Sequence, residues 1–208
     1  MAIEGVDVYA GKGAVDWRRV ANAGKEFAFI RGAYGDRADG MVARNFAGAK
    51  DAGLLCGIYH FYRATRDPEA QAGLMVEVLR NLGCGAGDLP PVIDVEDNPA
   101  YDGPWDPSAN ETYIAGVRHW IARLQDATGR TPILYLRAQF WHRIGKPEGF
   151  GDHPLWVAHY GVLSPSLPSG WSDYAFWQYA DDGLVAGVPG RCDLDRFNGD
   201  IDALQALL

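Results

Sequence analysis

One stretch, Leu89-Pro90-Pro91-Val92-Ile93-Asp94-Val95-Glu96-Asp97, combines a strand pattern with two acids. The prolines end whatever precedes them, and the β-branched run that follows is typical of a short buried strand. Residues i and i+2 of a strand lie on one face, about 6.5–7 Å apart. Asp94 and Glu96 therefore share one face, and Ile93 and Val95 share the other.

Two acids on one face of a buried strand indicate a cleft rather than a packed core. Burial and like-charge repulsion raise the pKa of at least one of two such carboxyl groups. A stable core avoids that cost, whereas an active site uses it. The alternative is an exposed edge strand that carries two acids, and the apolar residues around the pair favour the cleft.

Composition and charge describe an acidic globular protein. Its 208 residues are 48% hydrophobic and 22% charged, which is enough to bury a substantial core. The net charge of -8 argues against general nucleic-acid binding, because phosphate contacts need a basic surface. Three widely spaced cysteines, Cys56, Cys84 and Cys192, predict reduced thiols rather than a disulfide framework.

The sequence also gives expectations about location. Met1-Ala2-Ile3-Glu4-Gly5 has neither a basic n-region nor an apolar h-region, so no signal peptide is expected. No apolar run approaches the roughly 18–20 residues of a membrane span. We therefore expect a chain that is made in the cytoplasm and does not insert into a membrane.

Strand and helix patterns alternate along most of the chain. The predicted strands are 5–9, 27–34, 56–62, the Asp94/Glu96 segment, 131–136, 154–160, 174–179 and 192–197, and the predicted helices are 14–23, 42–52, 68–82, 108–128, 138–144 and 200–207. Such alternation predicts parallel strands with helices packed outside, and the last three strands have no helices between them. We expect an α/β fold, an irregular TIM-like barrel of (β/α)5 followed by three strands with few helices, with residues 1–208 as a single catalytic domain.

Acids lie near the ends of three predicted strands. Asp7 is in the first, Asp94 and Glu96 are in the fourth, and Asp193 and Asp195 are in the eighth. In such barrels the chemistry sits at the carboxyl ends of the strands, and closure makes the first and last strands neighbours. Asp7 and Asp193 are therefore expected to converge. Carboxylates with a metal would suit hydrolysis of phosphates or amides, and carboxylates alone suit cleavage of a glycosidic bond.

The histidines argue against a transition-metal site. None of the five lies in an H-x-x-x-H or H-E-x-x-H pattern, so no metal and no cofactor are expected. An all-oxygen Mg²⁺ or Ca²⁺ site is the minority alternative. His60, inside an aromatic strand, is predicted to be a hydrogen-bonded core or cleft residue.

Aromatic residues fall near the same strand ends as the acids. Flat apolar faces with polar edges suit stacking on sugar rings. These residues are Tyr34, Tyr62, Trp156, Tyr160, Trp177 and Tyr179, with Tyr101 and Trp105 on the loop after the acid pair. Their coincidence with the acids favours a sugar polymer as substrate.

Several motifs resemble the family 25 glycoside hydrolases, the CH-type lysozymes or muramidases. They are Gly5-Val6-Asp7-Val8 with Asp16-Trp17, Tyr59-His60-Phe61, Val92-Ile93-Asp94-Val95-Glu96, Trp177-Gln178-Tyr179 and Cys192-Asp193-Leu194-Asp195-Arg196-Phe197. The Asp-x-Glu and Tyr-His-Phe strands are specific in combination, and the resemblance covers essentially the whole chain. It implies a barrel of five β/α units and three further strands. It also implies cleavage of the β-1,4 bond between N-acetylmuramic acid and N-acetylglucosamine.

The resemblance further implies residue roles. Glu96 would be the general acid, Asp94 would assist the 2-acetamido group of the substrate, and Asp7 and Asp193 would complete an acidic floor. The functional carboxylate of the last strand is placed at Asp193 rather than at Asp195. The residues expected to bind substrate are Tyr34, Tyr59, Tyr62, Trp156, Tyr160, Gln178 and Tyr179.

The expected partner is therefore the glycan strand of peptidoglycan. We expect a monomer of the phage-endolysin type that reaches the cell wall by phage-type release or another non-Sec route. Two alternatives remain open at this point. One is a non-catalytic barrel that binds wall glycans or a protein partner, although a binder need not sustain clustered acids. The other is a related glycosidase that acts on chitin-like polymers.

Overall fold

The computed structural model describes residues 2–208, and a closed sheet forms its centre. The strands are β1 (Ile3–Val8), β2 (Phe27–Tyr34), β3 (Arg37–Ala38), β4 (Leu55–Phe61), β5 (Val92–Val95), β6 (Ile133–Leu136), β7 (Leu155–Ala158), β8 (Phe176–Gly183) and β9 (Cys192–Phe197). The helices are α1 (Trp17–Asn22), α2 (Val42–Asp51), α3 (Pro68–Leu82), α4 (Pro99–Asp102), α5 (Asn110–Thr128), α6 (Ala138–Arg143) and α7 (Ile201–Gln205).

Eight of these strands close into a barrel. The sheet runs β1-β9-β8-β7-β6-β5-β4-β2, and β1 also pairs with β2, which completes the circle. Every pair in this circle that does not involve β9 is parallel. A helix follows each of β1, β2, β4, β5 and β6. The predicted α/β barrel, with five β/α units and then three strands, is confirmed.

Two features of the sheet differ from the prediction. The last strand, β9, runs antiparallel to both β8 and β1. Its beginning, not its end, therefore lies beside the carboxyl ends of the other strands. The short strand β3 was not predicted; it forms a hairpin with the end of β2. A two-residue strand carries too little alternation to be recognised in the sequence.

Alternation along each strand separates the barrel interior from the helix layer. In β2, Phe27 and Phe29 belong to the inner cluster, and Ala28 and Ile30 belong to the outer cluster beneath the helices. The inner aromatic rings fill the lower barrel, where a Cβ on Gly5 would lie 2.4 Å from the Phe27 ring. This packed interior closes the lower barrel and leaves its upper end as the place for a cleft.

The helix boundaries follow local capping chemistry. The Asp67 side chain accepts a hydrogen bond from the Ala70 amide at 2.8 Å, and helix α3 ends at Gly83 with a φ of 69°. The predicted range 68–82 is confirmed. Helix α5 begins two residues later than predicted, because a 3₁₀ turn capped by Asp106 precedes it.

The remaining expectations about the chain concern thiols and membranes. Cys56, Cys84 and Cys192 are all unpaired. Over residues 2–208, the longest apolar helices fall short of what a membrane span requires.

Candidate active site

A cleft of about 260 Å³ lies at the carboxyl ends of the parallel strands. It is lined by the acids Asp7, Asp94, Glu96 and Asp193, and by Tyr59, Trp156, Tyr160 and Gln178 among the residues predicted to bind substrate. The sequence therefore identified most of the residues that the fold brings together here. Asp94 and Glu96 face the cleft from the same side of β5, while Ile93 and Val95 pack in the outer cluster.

Tyr62 and Tyr179 do not reach this cleft, which corrects the prediction that they lie at the substrate site. Tyr59 and Phe61 face the cleft from β4, so Tyr62 points to the opposite side, where its ring packs on Tyr113. Gln178 likewise faces inward from β8, and Tyr179 points outward toward Arg196 and Glu4. The same alternation that identified the acid pair excludes these two tyrosines.

Tyr34 lies on the cleft side of the sheet because β2 is irregular. The pairing of β2 with β4 shifts between Arg31 and Ala33, so that Tyr34 stands opposite Phe61 with ring centroids 4.8 Å apart. A Cβ on Gly32 would lie 2.5 Å from Ile58, so glycine allows this close approach. Tyr34 sits beside the cleft rather than in its lining.

Several lining residues were not predicted. The most important are Arg31, Tyr135 and Arg137; Tyr9, Phe61 and Asp181 also contribute. Arg31 continues the inward series of Phe27 and Phe29, and Arg137 continues the inward position of Tyr135. Extending each alternating pattern one step past the apolar part of the strand would have found both arginines.

A hydrogen-bond network crosses the floor of the cleft. The phenol groups of Tyr135 and Tyr160 donate to Gln178 Oε1 at 2.8 and 2.5 Å. Gln178 Nε2 donates to Asp7 Oδ2 at 2.6 Å, and Arg137 Nη2 donates to the Tyr160 oxygen at 2.8 Å. Because Gln178 Oε1 accepts two hydroxyl groups, the direction of its amide is fixed. Asp7 and Arg137 are thereby held at opposite ends of one network.

Burial dominates the titration of the acid pair on β5. It raises the pKa of Glu96 to about 7. The positive charge of Arg137 lowers this pKa, and the negative charges of Asp97 and Asp193 raise it further. Burial, followed by repulsion from Glu96, also raises the pKa of Asp94 well above its usual range. Oδ1 of Asp94 is buried, and no group in residues 2–208 hydrogen-bonds to it. The pair therefore holds a proton near neutral pH and leaves one acceptor atom unused.

The first and last strands bring the other acids together. Asp7 and Asp193 are directly paired across β1 and β9, and Lys12 Nζ lies 3.9 Å from Asp193 Oδ2. Burial is the largest cause that raises the pKa of Asp7 and the pKa of Asp193. The negative charges of Asp193 and Asp195 raise the pKa of Asp7 further. The predicted convergence of Asp7 and Asp193 is confirmed, and antiparallel β9 produces it.

Comparison with known proteins agrees with this geometry. The family model for glycosyl hydrolases family 25 matches residues 6–188. The chain belongs to this family. Lysozyme M1 of Streptomyces globisporus is 34% identical to this family 25 hydrolase, over 99% of this chain and 71% of its own length. The N,O-diacetylmuramidase of Arthroderma benhamiae is 29% identical over 98% and 86% of the two chains.

Solved structures of the family share the whole fold. The crystal structure of a bacterial lysozyme from Streptomyces coelicolor superposes with a TM-score of 0.87 at 32% identity, covering 100% of this chain and 97% of that one. This chain is thus a glycoside hydrolase of family 25 with a closed barrel of the family type.

In this family 25 hydrolase a second, smaller cavity of about 150 Å³ adjoins Glu96. It lies between Glu96 and the loop 97–109, which carries Trp105 and the exposed ring of Tyr101. Arg63 fixes this loop by pairing with the Asp102 carboxylate, which also accepts from Thr65 Oγ1 at 2.6 Å. Glu96 therefore stands between two cavities, one on each side of it.

Proposed function

We propose that this family 25 hydrolase is a peptidoglycan muramidase that cleaves the β-1,4 bond between N-acetylmuramic acid and N-acetylglucosamine, with Glu96 as the general acid. The observation that carries the assignment of the acid is the position of Glu96. It lies at the junction of the two cavities, and burial raises its pKa to about 7. A carboxyl group that is protonated near neutral pH can deliver its proton to the glycosidic oxygen as the bond breaks.

Asp94 complements this acid. Asp94 lines the cleft, and its buried Oδ1 lacks a donor within residues 2–208. An acetamido N–H of the substrate would supply that donor and favour the ionised form of Asp94, leaving the proton of the pair on Glu96. With its N–H held, the acetamido oxygen would be aimed at the anomeric carbon. Asp94 thus assists attack by the substrate's own acetamido group.

Asp7 and Asp193 extend the acidic floor, and the aromatic side chains at the rim provide sugar contacts. Tyr160 and Gln178 present polar atoms inside the cleft, and Tyr34 stands beside it. Trp156 and Tyr59 are 1% and 7% exposed, so they form the floor rather than a stacking platform. The more exposed rings of Tyr9 and Tyr101 are better placed to stack on sugar units.

The finer expectations belong to this same proposal. Residues 1–208 would act as one catalytic domain, as a monomer, on wall glycan outside the cytoplasm. Phage-type release or another non-Sec route would bring it there. Sedimentation at micromolar concentration tests the monomer, and recovery of the native protein only through Sec-dependent secretion would contradict the route.

The function is tested on purified peptidoglycan, with mass spectrometry of reduced products. Wild type should release muropeptides that end in reducible muramic acid. Glu96→Gln should lower the rate by about 10²–10⁴-fold and keep the fold. Asp94→Asn should also be strongly impaired. Products that end in reducible glucosamine, or turnover of chitin but not of peptidoglycan, would contradict the proposed bond, and near-native turnover of Glu96→Gln would contradict the proposed acid.

A further inference from the structure

Asp39 is a buried acid that has no role in the reaction described above. It follows β3, the short strand that forms a hairpin with β2, and its side chain is 1% exposed. It does not line the cleft. Its amide N–H donates to the Gly32 carbonyl at 2.8 Å, at the irregular step of β2. Asp39 is therefore fixed to the strand that carries Arg31 into the cleft.

The carboxylate of Asp39 accepts hydrogen bonds from three different segments. Arg31 Nε donates to Oδ2 at 2.9 Å, and the Ala10 amide donates to the same oxygen at 3.0 Å. The Met41 amide donates to Oδ1 at 2.9 Å. One carboxylate thus connects the end of β2, the turn after β1 and the start of α2.

Two aromatic rings flank the guanidinium group of Arg31. Its Cζ lies 4.5 Å from the centre of the Tyr9 ring and 5.5 Å from the centre of the Tyr34 ring. A ring face attracts a cation at such distances. Asn98 Nδ2 donates to the Tyr34 hydroxyl at 2.9 Å, which fixes this ring in turn. The guanidinium group is therefore held by Asp39 at Nε and by a tyrosine ring on either contact.

The outer nitrogens of Arg31 remain available to a ligand. The contact with Asp39 uses only Nε. Within residues 2–208, neither Nη1 nor Nη2 makes a hydrogen bond, and neither is buried without a partner. Arg31 lines the cleft. Its free donors are thus placed where a bound substrate can use them.

The charges around Arg31 favour a neutral acceptor. Its positive charge is already paired with the buried Asp39, and Asp7 and Asp94 line the same cleft. A carboxylate of the ligand would add negative charge to this acidic site, whereas a neutral oxygen would not. The neutral acceptors of an N-acetylated sugar are its hydroxyl groups, its ether oxygens and its acetamido carbonyl.

We propose that Arg31 binds a neutral oxygen of the glycan through Nη1 and Nη2, and that Asp39 is the positioning residue that holds Arg31 for this contact. The proposal rests on the proposed function, because it takes an N-acetylated glycan as the ligand of the cleft. Asp39 also holds the Ala10 amide, so the Tyr9 ring next to it is kept against the same guanidinium group.

Kinetics on soluble, uncross-linked peptidoglycan strands test this contact. Arg31→Ala should raise KM about tenfold and change kcat by less than about threefold, because Arg31 holds the substrate equally in the ground state and the transition state. Asp39→Ala should raise KM at least as much, since it frees both Arg31 and the turn that carries Tyr9. The double variant should match Asp39→Ala, because an Arg31 that is no longer held contributes little.

Asp88→Ala is the matched control for the loss of a buried carboxylate. Asp88 pairs with Lys50 and accepts from the Gly85 amide at 3.1 Å, but it precedes β5 and lies at the end of the barrel away from the cleft. This variant should lower Tm, as Asp39→Ala does, and leave KM unchanged. Asp39→Asn keeps the size of the side chain and one acceptor oxygen. It replaces Asp39→Ala if that variant does not fold, and it should raise KM about threefold or more.

Two preparations of the strands distinguish a neutral acceptor from a carboxylate. Strands treated with an amidase carry the lactyl group of muramic acid as a free carboxylate, whereas strands with stem peptides carry it as an amide. Arg31→Ala should raise KM by the same factor on both. An increase confined to one preparation would overturn the neutral acceptor.

Binding without turnover separates this proposal from the proposed function. Calorimetry with a tetrasaccharide of alternating N-acetylglucosamine and N-acetylmuramic acid gives Kd in the Glu96→Gln background. Adding Arg31→Ala should weaken binding about tenfold.

The possible outcomes assign a failure to one proposal or the other. If wild type cleaves the strands but Arg31→Ala keeps the native KM and Kd, Arg31 does not bind the glycan and the function stands. If the effects of Arg31→Ala and Asp39→Ala on KM multiply in the double variant, Asp39 does not act through Arg31. If wild type does not cleave but binds the tetrasaccharide through Arg31, only the proposed function fails. A protein that neither cleaves nor binds overturns both.

Discussion

The indole N–H of Trp120 on helix α5 donates to Nδ1 of His60 on strand β4 at 3.1 Å. Indole can only donate, so Nδ1 of this fully buried imidazole accepts, and Nε2 carries the hydrogen that is donated to the Gly35 carbonyl at 2.8 Å. Protonation of the ring would break the Trp120 contact. Burial accordingly lowers the pKa of His60 to about 4. The contact joins helix α5, strand β4 and the β2–β3 hairpin behind the cleft.

We predict from this contact that His60 makes stability fall with acidification. The unfolded chain binds a proton at His60 below about pH 6.5, while the folded chain stays neutral to about pH 4, so unfolding is favoured progressively within that window. The full effect is about 3 kcal/mol. Urea unfolding between pH 7 and pH 4 should show a steeper loss for wild type than for His60→Asn. The exposed His142→Asn serves as control and should keep the wild-type slope.

Glu96→Gln should stabilise the protein at the same time as it removes activity. The folded pKa of about 7 exceeds the unfolded value of 4.5, so the folded state loses stability as the pH rises through this window. Gln removes that cost, which is about 3 kcal/mol well above pH 7 and close to zero at pH 4. Thermal unfolding at pH 8 and pH 4 measures the difference. The exposed Glu77→Gln should change stability at neither pH, and a Glu96→Gln effect that is equal at both would contradict the raised pKa.

Gln178→Leu should impair both activity and stability. The substitution leaves the hydroxyl groups of Tyr135 and Tyr160 without their acceptor, and Asp7 without its donor. Unsatisfied buried groups cost about 1–3 kcal/mol each, and a misplaced Asp7 should lower kcat/KM by about 10²-fold. Denaturant unfolding and steady-state kinetics check the two effects. Gln205→Leu, on the exposed side of helix α7, should leave both unchanged.

Arg63→Ala should release the loop that carries Tyr101 and Trp105. The guanidinium and the Asp102 carboxylate are 10% and 15% exposed, so removing one partner leaves the other charge partly buried. We expect faster amide hydrogen exchange across residues 97–109 and a higher KM, with kcat less affected. The matched control is Arg191→Ala, whose pair with Asp182 is 67% and 68% exposed and should contribute little. Unchanged exchange in the loop would show that the Arg63 pair does not hold it.

Alternation within single strands made much of the site predictable. Asp94 and Glu96 could be assigned to one face because two apolar neighbours occupied the other. The same rule, applied from Tyr59 or from Gln178, would have kept Tyr62 and Tyr179 out of the site. These errors came from judging aromatic residues by their nearness to a strand end rather than by their parity along the strand.

Other features depend on contacts that no local pattern reports. The irregular pairing of β2 reverses the side on which Tyr34 lies, and it requires a packing contact between Gly32 and Ile58. The direction of β9 follows from its short connection to β8, which allows a hairpin but not a crossover through a helix. The Gln178 network joins strands β1, β6 and β8 with Tyr160, which follows β7, so it exists only after the barrel has closed.

Because antiparallel β9 closes the barrel, the active site is complete only after β9 has been synthesised. Asp7 is synthesised long before Asp193, its partner across β1 and β9. A nascent chain that stops short of β9 has a barrel open along one edge and half of its acidic floor missing. Contacts of such long sequence separation form late, because the intervening chain must first be ordered. An enzyme built in this way cannot hydrolyse its substrate until β9 has been synthesised and has closed the barrel.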